Sequence, residues 1–117
     1  MNKESIIVVY IPESGPYLEQ FFGLYYSTVF KTNLYKKFDF LITGPKSLKE
    51  KLPKKHCIFV DIENLAEHKD YRTKYNNNPY GFINSFAAFT SKRCIDIILL
   101  YKYCLRLDVD TFLCPGI

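Results

Sequence analysis

A chain of 117 residues, 48% hydrophobic and 24% charged, is sized for one domain with its own core over residues 1–117. Its net charge of +4 comes mostly from lysine. Arginine occurs only at Arg72, Arg93 and Arg106, a poor supply for a nucleic-acid surface, and the mild basic balance fits a small anionic ligand equally well.

No apolar run reaches the roughly 18 residues of a membrane helix. Ile6 to Ile11 is too short for a signal-peptide core, so the chain by itself reads as cytoplasmic. Cys57, Cys94, Cys104 and Cys114 lack C-x-x-C spacing and gather no zinc set with His56 and His68. Free thiols in a reducing compartment are expected.

Ile6 to Tyr10 is a continuous β-branched run, the pattern of a strand covered on both faces. Ile11 to Pro16 is a turn-rich loop. Ser14 or Gly15 can cap the helix that follows, with Pro16 at its first position. Leu18, Phe21, Phe22, Tyr25, Tyr26 and Val29 recur at helical spacing and predict a helix from Tyr17 to about Phe30. Phe38 to Thr43 reads as the second strand, closed by Gly44-Pro45.

Ser47 to Leu52 is predicted as a short lysine-rich helix between two prolines, its lysines forming a solvated face rather than a phosphate patch. Cys57 to Ile62 is the third strand, with Asp61 near its end as a ligand contact or a loop cap. Glu63 to Gly81 is a long irregular segment whose tyrosines and Arg72 could close over a ligand. Phe82 to Phe89 reads as helical, and Ser91 caps a further helix running to Leu99 or Leu100. The last strand runs from Tyr101 towards Asp108, through a segment that looks buried.

Strands alternating with helices imply parallel βαβ units in a three-layer, Rossmann-like α/β sandwich. The natural sheet order is 3-2-1-4, which reverses between strands one and four. Ligands bind outside the carboxyl ends of strands at such a switch point. No G-x-G-x-x-G follows the first strand and no phosphate-loop motif occurs, so dinucleotide and P-loop chemistry lose their main support.

The switch point receives Asp108 and Asp110. Along an extended chain these two point to the same side, about 6–7 Å apart. Together they make a hard, doubly negative oxygen patch that suits Mg²⁺ or Mn²⁺ on a diphosphate, with a solvated turn as the plain alternative. Arg106, two residues earlier, shares their face beneath the covering helices and is expected to pair with Asp108 or another acid. The alternative is that it points towards the crevice and helps balance the diphosphate.

From Leu99 to Leu113 the chain resembles the D-x-D strand of GT-A-type glycosyltransferases, the nucleotide-diphospho-sugar transferases, in order and spacing of elements. The resemblance implies that Asp108 and Asp110 hold Mn²⁺ or Mg²⁺ on the diphosphate of a nucleotide sugar. It further implies that Ile11 and Pro12 border the base and ribose, with Asp61 near the base. Only seven residues follow Asp110, so the likeness is to an amino-terminal half, without the acceptor site or catalytic base. Two other readings remain. One is a truncated, non-catalytic binding module. The other is a fragment of a haloacid-dehalogenase-like phosphatase using Asp108-Val109-Asp110-Thr111 as D-x-D-x-T, although that motif belongs on an early strand.

Overall fold

A computed structural model describes residues 3–11, 16–31, 36–61 and 91–111. The expected caps Ser14 and Gly15, the irregular segment after Asp61 and the helix over 82–89 lie outside these residues.

Four strands form one all-parallel sheet in the order β3-β2-β1-β4. They are β1 (Ser5–Tyr10), β2 (Phe38–Gly44), β3 (Cys57–Asp61) and β4 (Tyr103–Arg106). β1 is central, and its register sets Ile6 beside Asp39 on one side and beside Cys104 on the other. The architecture is the Rossmann-like α/β sandwich that the element order predicts.

β1 lacks alternation because each of its faces meets a helix. Ile7, Val9 and Ile11 pack with Phe40 and Ile42 of β2 against Phe21, Leu24 and Tyr25 of helix α1 (Tyr17–Tyr26). On the other face Ile6 and Val8 join Leu41, Val60 and Cys94, the last from helix α2 (Lys92–Ile98). Each fully buried side chain of this kind contributes about 1.5–3 kcal/mol. The rings of Phe21, Tyr25 and Phe40 meet at 5.7–6.1 Å, two of the three contacts being edge-on.

Three boundaries differ from the sequence pattern. α1 stops at Tyr26 and gives way to a π-helical turn over Ser27–Lys31. The cause is local: the Ser27 and Thr28 hydroxyls both donate to the Leu24 carbonyl at 2.9 Å, competing with the regular ladder. Pro16 stands at the cap position of α1 rather than inside it. The lysine-rich segment is a 3₁₀ helix over Lys46–Lys51, held from its first turn by a bond from Leu48 N to the Pro45 carbonyl. Ser91 caps α2 as expected, its hydroxyl accepting from the Cys94 N–H at 3.2 Å.

The larger correction concerns β4. It has four residues, and all four are exposed. The run Tyr103-Cys104-Leu105-Arg106 looks buried by composition. Among the described residues, however, the strand lies at the sheet's edge, where neither face is covered.

Candidate functional site

Because all strands are parallel, their carboxyl ends share one edge. There β1 and β2 run very close together. Ile11 N donates to the Thr43 carbonyl at 2.9 Å, and a Cβ on Gly44 would stand 2.6 Å from the Ile11 carbonyl oxygen. Glycine is required at that point by space alone.

β4 ends one ladder bond further on, where Leu107 N donates to the Val8 carbonyl at 3.1 Å. The chain then turns, with Thr111 N bonding back to the Asp108 carbonyl at 3.2 Å. Val109 is buried in the cluster under α1, and Asp108 and Asp110 on either side of it are exposed. Val109 thus anchors the turn and leaves the two carboxylates in water. This turn adjoins the end of β1 at the point where the strand order reverses.

Arg106 pairs with Asp108 as expected, Nη1 to Oδ1 at 3.6 Å. No helix among the described residues covers the pair, whose side chains are 51% and 71% exposed, so the contact is a long one at the surface.

The remaining candidates are spread along the same edge. Asp61 is half-buried at the end of β3, beside Gly44. β3 is three strand spacings from β4, about 14 Å, so Asp61 cannot share an ion with Asp108. It is within reach only of a ligand that spans the sheet. The side chain of Ile11 is fully buried in the core, which leaves only its backbone to meet a ligand at this edge. Pro12 and Arg72 lie outside the described residues. Among the described residues no three His, Cys, Asp or Glu side chains gather around one point that could hold a metal ion. Two exposed carboxylates nonetheless fit Mg²⁺ or Mn²⁺, whose further ligands are then water and the ligand's phosphate oxygens.

One buried group at this edge is unsatisfied. Thr43, between Tyr10 and Val60 in the register, has a hydroxyl with no hydrogen-bond partner. Nothing in the spacing of residues signals it.

Sequence reasoning also missed the opposite edge. Lys3 Nζ meets Asp39 Oδ1 at 2.9 Å and the Phe38 carbonyl at 3.2 Å, and it contacts His56 Nδ1. The Tyr101 hydroxyl donates to the other Asp39 oxygen at 2.7 Å. His56 has a left-handed backbone, φ 65°, and its carbonyl accepts from Phe40 N at 2.8 Å. Burial first, then Lys3, lowers the imidazole below its ordinary pKa. Burial, assisted by Asp39, pushes the neighbouring Cys57 thiol up to about 12. A thiol so reluctant to ionise is no nucleophile. These groups come from four distant parts of the chain, so no local motif could reveal them.

Fold and edge geometry together define an α/β protein with a Rossmann-like parallel sheet whose strand order reverses between β1 and β4. The chain belongs to the family described as a domain of unknown function, DUF7164, whose model matches residues 2–117. No curated protein and no solved structure matches it.

Proposed function

We propose that this protein binds a nucleotide-diphospho-sugar through Mn²⁺ or Mg²⁺ held by Asp108 and Asp110, as the donor-binding part of a glycosyltransferase of GT-A type. The observation that carries the reading is the turn after β4. It presents two carboxylates to solvent at the carboxyl edge of a parallel sheet, where strand order reverses. The bound ion would neutralise charge on the departing nucleoside diphosphate. Asp108 and Asp110 would hold it, and the ligand's own phosphates would complete its shell. Ile11 and Pro12 would border the base and ribose, with Asp61 near the base, and Arg72 could close over the ligand. The acceptor is left open.

Titration calorimetry with uridine and guanosine diphosphate, with and without Mn²⁺, tests the proposal. Binding is expected only with the metal, and Asp108→Ala with Asp110→Ala should abolish it while the protein stays folded. Metal-independent binding, or binding indifferent to both substitutions, would rule the reading out.

A further inference from the structure

A hollow beside β3 takes no part in the nucleotide reading. The chain leaves β2 at Gly44-Pro45, runs back along the sheet as the 3₁₀ helix over Lys46–Lys51, and enters β3 at Cys57. Leu48 and Leu52 of this crossover are buried in the cluster under α1. Cys57 and Phe59 lie on the same face of β3 and pack against that cluster, yet each is only partly buried. Between crossover and strand lies a cavity of about 210 Å³, lined by Lys49, Leu52, Pro53, Lys54, Cys57 and Phe59. All six belong to the described residues.

Its walls divide by chemistry. Leu52, Pro53, Cys57 and Phe59 supply an apolar floor. Burial holds the Cys57 thiol protonated up to about 12, so it adds no charge at neutral pH. Lys49 and Lys54 are exposed, and neither ammonium has an ion-pair or hydrogen-bond partner among the described residues. A lysine stem lies along apolar surface while its ammonium stays in water, so both charges belong to the rim. No carboxylate is part of the lining. Asp39, the acid that acts on Cys57, is already engaged by Lys3 and Tyr101.

The geometry points to a binding site for a small amphipathic anion, a single apolar ring carrying one carboxylate. Size sets the upper bound. At about 30 Å³ per water the cavity holds roughly seven waters, room for one ring and far too little for a nucleotide sugar. Charge and floor set the rest: the ring displaces water from apolar walls, and the carboxylate meets two lysines that no acid answers. Phe59 favours an aromatic body over an alkyl one. The site is independent of the nucleotide reading, since β3 and β4 form opposite edges of the sheet.

Phenylacetate is the probe, added in rising concentration while the backbone amide resonances are followed by NMR. Saturable shifts are expected around Lys49 to Phe59, with roughly millimolar or tighter affinity for a ligand of this size. Phenylacetamide, which has the shape without the charge, and acetate, which has the charge without the ring, should each bind about tenfold more weakly or worse. Lys49→Gln with Lys54→Gln should weaken phenylacetate about tenfold. Lys46→Gln with Lys51→Gln removes the same charge from exposed positions outside the cavity and should leave binding intact, as should Asp108→Ala with Asp110→Ala. Absence of saturable binding, equal affinity for either control compound, equal loss in the two lysine pairs, or loss on removing the two aspartates would overturn the proposal.

Discussion

The two edges of the sheet treat their charges in opposite ways. At the amino edge Lys3 and Asp39 are only 18% and 21% exposed, and Asp39 accepts from Lys3 and Tyr101 with both oxygens. At the carboxyl edge Asp108 and Asp110 are exposed, and Arg106 reaches Asp108 only at 3.6 Å. Charges that are sheltered and closely partnered hold elements in register and have little left to offer a ligand. Charges that are exposed and loosely held contribute little to stability and can be recruited. The amino edge is therefore a clasp, and the carboxyl edge is where binding chemistry has room.

Removing one carboxylate from each edge tests that contrast. Asp39→Ala leaves Lys3 and the Tyr101 hydroxyl without their acceptor in a half-buried place and should cost about 2–4 kcal/mol in urea unfolding. Replacing Asp108 and Asp110 together should change stability by no more than about 0.5 kcal/mol. Equal losses at the two edges would dissolve the distinction.

A second test reads the clasp through pH. The folded state holds the Cys57 thiol protonated up to about 12, against an ordinary 9.0. In the unfolded chain the thiol ionises first, so its stabilisation is complete below pH 9.0 and falls as pH rises towards 12. Tyr25 and Tyr101 are also raised, but from 10.0, whereas burial raises the Cys104 thiol from the same 9.0, so the first part of the alkaline decline belongs to the two thiols, with the deeper-buried Cys57 carrying more of it. Cys57→Ala should flatten that part in a series of unfolding curves, and an unchanged profile would show the thiol to be unsheltered. On the acid side the sign reverses. His56 is lowered from 6.5, so its stabilisation is full above that value and is lost as pH falls through the window beneath it.

The smallest effect is expected from Arg106→Met. A surface pair this long is worth under about 1 kcal/mol, so the unfolding midpoint should hardly move. A large loss would mean that the arginine carries structural weight that its exposure hides.

Much of the fold was legible because local pattern and global position agree. The unbroken run Ile6 to Tyr10 can only be a strand covered on both faces, and Ser91 lies one residue before a helical pattern, where a hydroxyl cap belongs. The strand order followed from connection rules. β4 was misjudged because composition does not distinguish an edge from a centre. Its flanking Lys102 and its internal Arg106 are the clues, since charge on a short strand is how proteins guard an open edge. The position of Asp108 and Asp110 was readable, but their exposure was not, because it depends on Val109 turning inward. The Lys3–Asp39–His56–Tyr101 group left no trace in spacing. Such clusters are assembled by topology, and only coordinates reveal them.

The register of β1 also has a consequence for how the chain comes to be folded. Ser5 pairs with Phe38 on one side and with Tyr103 on the other, so the central strand is completed by partners at very different distances along the chain. Closing the longer of the two loops costs only about 1 kcal/mol more in chain entropy. The delay is the greater burden. During synthesis β1 can join β2 soon after both emerge, whereas its pairing with β4 waits until roughly a hundred further residues have been made. A nascent chain halted between Asp61 and Tyr103 therefore holds three strands with the middle of the final sheet at their rim, a species suited to a holding chaperone rather than to solution.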